Sequence, residues 1–589
     1  MFDKSRFSDH ELFSAMGALP IHDCLALRAW AHPDKVLFTF LNDAGEEEAR
    51  VSYRQLLERA GAIAGQLAAA SQPGERVALF FPQGLEFIAC FLACLMSGRI
   101  AVPINLPTRR RVERCVSIIA DSGARLALAA ATERAMLQQA FAETAVAGLT
   151  VLEPTAQSVA VGDWPRAPSV DPRQVAFLQY TSGSTSAPKG VMVSHANITA
   201  NLRMMRDSWQ LDSSSDFVTW QPHHHDMGLI LGQLLPIMLG NHTVIMAPAT
   251  FVRQPMLWLQ SISKYRARLA GGPNFAYNLT VERYCAERAG ELDLSCWTHA
   301  LNGADVVRPS SLSRFAAQYA DHGFSADAFV PCYGLAEATL FVAGGPCGRP
   351  VRSVHADPLL LALEHKVVAT DPAQARELVG CGEPSWEVEI AIVRAESKRR
   401  CAPGEVGEVW LRGPAIAAGY WQNAAATQAS FRAALDGEPG REYLRTGDLG
   451  FVGAHDQQLY VCGRLKDLII CEGRNLHPED IEHTIIEALG EARPQSCAVF
   501  SHDDEQQQRQ VIVAVVESNR DIKRLLAENP RQLKAAVRSA VVDSHGIALS
   551  RIVFVLPTSM QKTTSGKVQR SRMRQLYLAA ELDVMHEAH

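Results

Sequence analysis

Apolar positions in the first half of this chain fall into two arrangements that take turns. Short apolar runs of strand length stand at residues 36–41, 76–81, 100–102, 124–130, 149–152 and 175–178. Between and around them, residues 24–31, 53–70 and 133–142 carry helical spacing, 48–52 reads as a strand paired with 36–41, and 85–96 is apolar on every side. The alternation continues through a strand at 216–220, a helix at 227–239, a strand at 243–247, a helix at 256–265 and a further cycle that ends near Tyr333. Strands separated by helices of this length predict β-α-β units, hence an α/β protein with a large doubly wound sheet whose ligands lie at the carboxyl ends of the strands. The all-apolar helix is core, so Cys90 and Cys94 are packing residues and not reactive thiols.

The pattern changes after residue 345. Residues 346–380 mix proline, glycine and charge around an apolar patch at 359–363, and β-rich sequence follows at 388–393 and 408–411. Beyond Arg464 the chain restarts as a strand, then a helix at 478–489, strands at 496–500 and 511–517, a helix at 531–544 and a strand at 552–556. We expect two parts: a large region over residues 1–463 and a small α+β domain over 464–589.

Composition removes several classes of function. A chain that is 47% hydrophobic and 20% charged, with 57 basic and 63 acidic residues and a net charge of -6, gives no reason to expect a nucleic-acid partner. The basic run Arg109, Arg110, Arg111 reads as a solvated loop. Thirteen cysteines without C-x-x-C pairs argue for free thiols in a reducing compartment. The start has no apolar targeting core and no stretch approaches the ~18 apolar residues of a membrane span, so a cytoplasmic protein is expected.

Candidate chemistry begins at residues 180–197, YTSGSTSAPKGVMVSHAN, between the apolar run 175–178 and a helical pattern that starts near His195. The hydroxyls of Thr181, Ser182, Ser184 and Thr185, the small Gly183 and Gly190, and the cation of Lys189 suit a loop that surrounds phosphate oxygens with N–H groups and supplies compensating charge. The spacing is not that of a Walker A loop. A Ser/Gly surface linker is the alternative, though linkers seldom join a buried strand to a helix. The string resembles the signature loop of the adenylate-forming enzymes, a superfamily of acyl-CoA ligases, peptide-synthetase adenylation domains and luciferases.

Four later stretches resemble that superfamily's remaining motifs, in its order. Residues 301–305, Leu-Asn-Gly-Ala-Asp, are similar to the segment whose backbone lines the adenine pocket, which implies that role for Asn302, Gly303, Ala304 and Asp305; alone they are a plain turn. Residues 333–339, YGLAEAT, combine an aromatic, a glycine and a carboxylate able to stack a purine and hold a magnesium ion, and a packed turn explains them equally well in isolation. The resemblance implies Tyr333 and Gly334 at the base and Glu337 on Mg²⁺, although Ala336 stands where many members have threonine. Residues 443–450, YLRTGDLG, resemble the family's ribose motif, with Asp448 on the sugar hydroxyls. In the run 463–467, Arg464 would reach the ribose and Lys466 would occupy the hinge between domains. Last, residues 563–570, TTSGKVQR, resemble the final motif, whose lysine, here Lys567, bridges the acid and the α-phosphate; for a lysine chosen blindly the surface is the usual place.

Three stretches narrow the resemblance to the fatty acyl-AMP ligases: residues 100–103 with Pro107 and Arg109 to Arg111, the H-D-M-G-L segment that begins at His225, and about forty residues between Glu337 and the turn at 381–384, room for that branch's insertion at about 346–380. His225 joins Lys567 and Glu337 as a catalytic candidate. A zinc site at His223, His224 and His225 is disfavoured because adjacent residues cannot all face one ion in regular structure. The resemblance implies ATP and magnesium, activation of a fatty acid to its adenylate with release of pyrophosphate, and acyl transfer to the phosphopantetheine thiol of an acyl carrier protein or of a carrier domain in a polyketide or peptide synthase. An acyl-CoA ligase, and a non-catalytic lipid or nucleotide binder on the same fold, are the alternatives. Helices at 227–239 and 275–279 line an acyl tunnel or simply the core.

Overall fold

The computed structural model describes residues 9–107, 112–155, 157, 170–180, 188–471, 474–494, 496–504, 509–563 and 567–588. Thr181, Ser182, Gly183, Ser184 and Thr185 of the phosphate loop, and the Arg109 to Arg111 run, lie outside the described residues.

The apolar runs of the first half become strands, divided between two large sheets where one was expected. Six strands form the first, in the order Thr150–Leu152, Leu126–Ala129, Arg76–Phe80, Ile100–Pro103, Val175–Tyr180 and Gly190–Ser194. Nine form the second, and its central strands, Val36–Leu41, Thr243–Met246, Phe217–Thr219, Leu269–Gly272, His299–Asn302 and Phe329–Gly334, are all parallel. The helix Leu85–Met96 explains its lack of a polar face, since ten of its residues, Phe87 to Met96, are buried. Cys90 and Cys94 sit there with their thiols pushed up by burial, as expected of packing residues. No helix among the described residues is long and apolar enough to cross a membrane.

Register in the nine-stranded sheet decides where chemistry can gather. Gly272 pairs with Asn302 and Asn302 with Pro331, so the first two strands end level with Pro331 and release residues 273–274 and 303–305 beside the end of the third strand, which runs on to Gly334 and then to residues 335–337. That is the carboxyl edge, where parallel sheets leave a crevice for ligands.

A five-stranded antiparallel sheet follows, Arg399–Arg400, Glu389–Arg394, Gly407–Arg412, Leu444–Val452 and Leu459–Arg464. Between the two sheets in sequence, residues 346–380 form the antiparallel pair Ser353–Ala356 and Arg376–Val379 with the helix Pro358–Glu364. Only part of the apolar patch 359–363 is covered. Leu361 is 5% exposed and packs with Val406, Leu449, Phe451, Tyr460 and Cys462, whereas Leu359 and Leu363 are 58% and 52% exposed. Helical spacing puts residues 359 and 363 on one face and 361 on the opposite one.

The last 120 or so residues have cores of their own. Cys497–Asp504, Arg509–Glu517, Arg551–Val555 and Val584–Ala588 form a four-stranded sheet. Along Arg509–Glu517, Ile512, Ala514 and Val516 face the helices Pro478–Ala488 and Pro530–His545, and Val511, Val513 and Val515 face Arg570–Leu578. Period-two alternation with both sets apolar is what a strand covered on both sides requires.

Candidate active site

The strands on either side of residues 181–187 pair with each other. Val175–Tyr180 and Gly190–Ser194 pair antiparallel, with Tyr180 opposite Gly190, so a strand intervenes between the loop and the helix His195–Trp209. The end of the motif is structural: Ser194 and Asn197 form a reciprocal capping box at the helix start, and Asn197 Nδ2 donates to the carbonyls of Pro414 and Ile416 at 2.7 and 3.0 Å. Those two bonds, with Met192 N to Gly419 O at 2.9 Å and Trp421 N to Gly190 O at 2.7 Å, bring residues 414–421 alongside the hairpin.

That approach supplies Tyr420. Its ring lies under Lys189 Nζ at 5.1 Å from the centroid, and its hydroxyl donates to Glu337 Oε1 at 2.9 Å. Burial, and then the Glu337 carboxylate, push the Tyr420 hydroxyl above its ordinary pKa, so it stays a donor. One buried side chain thus links Lys189 with the Glu337 carboxylate. Sequence reasoning missed it, because a single tyrosine after a glycine in irregular sequence carries no periodicity.

At the sheet edge, residues 302–305 are built for close approach. A Cβ on Gly303 would lie 2.8 Å from both the carbonyl oxygen and the sulfur of Cys332, and one on Gly334 would lie 1.9 Å from the Leu340 oxygen. Only glycine lets these two segments pack this tightly. Ala304 has φ +73°, a left-handed conformation uncommon for a residue with a Cβ. Asp305, which follows it, stands at the surface of the crevice.

Across the site, Asp448 and Arg464 are register partners on adjacent strands. Arg464 Nε lies 3.1 Å from Asp448 Oδ1, and the Tyr333 hydroxyl donates to Oδ2 at 2.7 Å. Three residues singled out from separate motifs therefore form one bonded group. Asp448 raises the Arg464 guanidinium further, and burial with Asp448 pushes the Tyr333 phenol well up, so Arg464 keeps its charge and Tyr333 stays a donor. Lys466 follows in the 3-10 turn Leu465–Asp467, its pKa lowered by burial and by Arg464.

The expected helix at 227–239 is two pieces, a π-helix Met227–Leu234 running into the α-helix Leu235–Leu239. Asp226 caps it by accepting from Met227 N at 2.8 Å. His223 stacks on Phe87 with centroids 3.9 Å apart, and no group of metal-holding side chains occurs among the described residues. Burial, then His224 and Lys567, hold His225 neutral.

Lys567 reaches this edge from the far end of the chain. Its Nζ is 3.8 Å from Asp305 Oδ1, and its loop is closed by Thr563 N donating to Lys567 O at 2.7 Å and Lys567 N to Thr563 Oγ1 at 3.1 Å. The site therefore assembles residues spread over more than 370 positions, from Lys189 to Lys567.

Known proteins are similar to this chain over most of its length. Residues 25–421 match the family described as AMP-binding enzyme, and residues 466–587 match the Disco-interacting protein 2-like AMP domain. A medium-chain-fatty-acid–[acyl-carrier-protein] ligase, JamA of Moorena producens, is 36% identical over 95% of each chain. The chain belongs to the fatty acyl-AMP ligases, a branch of the AMP-binding, adenylate-forming enzymes. The long-chain-fatty-acid–AMP ligase FadD26 of Mycobacterium tuberculosis is 34% identical, covering 93% of this chain and 96% of that one. The fatty acyl-adenylate ligase of Legionella pneumophila, solved with acyl adenylate and pyrophosphate, superposes with a TM-score of 0.73 at 34% identity, over 97% of this chain and 98% of that one. In this fatty acyl-AMP ligase, residues from the carboxyl edge of the sheet, the antiparallel sheet and the last domain meet around Asp305, Tyr333 and Asp448.

Proposed function

We propose that this fatty acyl-AMP ligase joins a fatty acid carboxylate to the α-phosphorus of ATP, releases pyrophosphate, and passes the acyl group to the phosphopantetheine thiol of a carrier protein. The observation that carries the reading is the convergence at one crevice of Lys567, Asp305, the Tyr333–Asp448–Arg464 group and the Lys189–Tyr420–Glu337 group. A nucleotide with its base beside residues 302–305 and Tyr333 sets its ribose hydroxyls on Asp448 and Arg464, a carboxylate and a guanidinium that accept and donate respectively. The phosphates then run toward Lys189, with Thr181, Ser182, Gly183, Ser184 and Thr185 as the loop around them.

In the first half-reaction a carboxylate oxygen forms a bond to the α-phosphorus and the bond to pyrophosphate breaks. Negative charge gathers on the α-phosphoryl oxygens and the leaving group, and the Lys567 ammonium is placed to stabilise it. Glu337 fits a magnesium ion: it is an oxygen donor, oriented through Oε1 by the Tyr420 hydroxyl, and Mg²⁺ characteristically takes one or two carboxylates with substrate phosphates. Bound there, the ion would neutralise phosphate charge. Neutral His225, at the entry to the π-helix, borders the acid without adding a charge that would hold it back. In the second half-reaction the thiol adds to the acyl carbonyl and AMP departs. The domain over residues 464–589 turns about Lys466 between the two, and residues 346–380 are the branch's insertion, which restrains that turn.

Incubation with a fatty acid, ATP and Mg²⁺, with coenzyme A or a phosphopantetheinylated carrier protein as acceptor, tests the reading. Acyl-adenylate and acyl-carrier products are expected, with little acyl-CoA, and Lys567→Ala should lower adenylate formation about 10²- to 10³-fold. Efficient acyl-CoA synthesis by the wild type would assign an acyl-CoA ligase instead, and near-normal adenylation by Lys567→Ala would reject that residue's role.

A further inference from the structure

Arg570 stands three residues after Lys567, at the first position of the helix Arg570–Leu578. A cation there opposes the helix dipole, so something else holds it. Its guanidinium is mostly buried and takes three carboxylates at once. Nε and Nη2 grip Glu482 Oε1 and Oε2 at 2.6 and 2.7 Å, and Nη1 lies 2.7 Å from Glu479 Oε1 and 3.3 Å from Asp467 Oδ2. Glu479 and Glu482 belong to the start of the helix Pro478–Ala488, and Asp467 ends the turn that contains Lys466. Glu482 Oε1 also accepts from Val499 N at 2.9 Å, which ties the group to the domain's sheet. The Lys567 loop is closed at its base, Thr563 to Lys567 and Gln569 N to Gln561 O at 2.9 Å, and so moves with whatever holds residue 570.

We infer that Arg570 is a positioning residue for adenylation: its fork fixes the Lys567 loop to the residue beside the pivot, so that the angle of the turn at Lys466 determines where the Lys567 ammonium stands. This rests on the reading of Lys567 as the adenylating lysine. The geometry of the fork matters as well as its charge, because one flexible ammonium cannot hold three carboxylates on two elements in the same plane. Arg570 touches no reacting atom.

Arg570→Lys keeps the charge and loses the fork. Measured by half-reaction, its kcat for acyl-adenylate formation should fall about 10- to 100-fold, the scale of a misplaced catalytic group, with KM for ATP near that of the wild type, as expected for a contact made only in the transition state. Transfer from supplied acyl-adenylate to carrier protein, which does not use Lys567, should change by less than about threefold. Adenylation at the wild-type rate, or equal loss of both half-reactions, overturns the inference. If Arg570→Lys does not fold, Glu482→Gln decides by the same split, since it leaves Arg570 its bonds to Glu479 and Asp467; selective slowing of adenylation supports the role and any other outcome removes it. Lys567→Ala, run alongside, separates the two claims. Loss of adenylation there with none in the Arg570 variant defeats only the positioning role, and undiminished adenylation in Lys567→Ala defeats both.

Discussion

Asp480 offers a direct test of what keeps the last domain in this orientation. It sits in the first turn of Pro478–Ala488, and both of its cationic partners come from outside that domain. Arg376, on the strand Arg376–Val379, places Nε 2.9 Å from Oδ2, and Arg308, preceding the helix Pro309–Tyr319, places Nη1 3.2 Å from Oδ1. Burial raises the Asp480 pKa, yet Arg376 and Arg308 outweigh it and the carboxyl is held below its ordinary value. These bonds exist only in this arrangement of the domains, so their loss acts on the equilibrium between arrangements. Removing one partner of a buried pair costs about 3–5 kcal/mol. Arg376 keeps its 2.8 Å bond to Cys462 O and the asparagine of Asp480→Asn keeps an acceptor, which reduces the figure to about 2–3 kcal/mol, a factor of about 30 to 150. With fatty acid, ATP and coenzyme A, the ratio of acyl-CoA to acyl-adenylate should rise at least about tenfold, and fluorescence transfer between labels on the two parts should report a broader distance distribution. An unchanged ratio in a variant that folds normally would refute the argument that this triad restrains the domain.

Other outcomes follow from the same geometry. Lys466→Pro should keep acyl-adenylate formation and lose acyl transfer, because proline fixes φ in the turn; equal loss of both steps would count against alternation of the domains. Leu361→Asp should lower the melting temperature and raise the acyl-CoA fraction, since it buries a carboxylate against Phe451 and Tyr460, while Leu359→Asp on the exposed face should stay within about 0.5 kcal/mol of the wild type; matching effects would refute the assignment of faces. His22 and His477 are each lowered from 6.5 to about 4, chiefly by burial. The unfolded chain therefore binds protons that the folded one does not, and the stability these groups support is complete above pH 6.5 and falls by about 1.4 kcal/mol per group per unit toward pH 4. Melting temperatures measured between pH 7 and 4.5 should drop accordingly, and His22→Phe should soften the drop; a flat profile would contradict the burial assigned to both rings.

Elements whose ends are chemically marked were legible in the sequence. Residues 53–70 form the helix Tyr53–Ala70 as read, because Ser52 and Gln55 make a capping box at its start, and 85–96 was unmistakable as a core helix. The partners of strands were less legible. An apolar run announces a strand but not its sheet, so two sheets looked like one, and Gly190–Ser194 was hidden inside a motif read for its chemistry. Likewise Tyr333, Asp448 and Arg464 could be named from their stretches, but their mutual bonds depend on a cross-strand register that residue spacing does not reveal. Asp480, Arg376 and Arg308 left no trace at all, since charged residues scattered over 170 positions look like ordinary solvated surface.

In the proposed turn about Lys466, the Asp448–Arg464 pair lies next to the axis. Arg464 ends its strand and Lys466 lies two residues on, whereas Lys567 is carried on the part that turns, held to Asp467 through Arg570. A turn that parted Lys567 from Asp305 would move the residues next to the axis least. On that reading the sugar contacts would outlast the exchange, and AMP would stay seated until the thiol arrives.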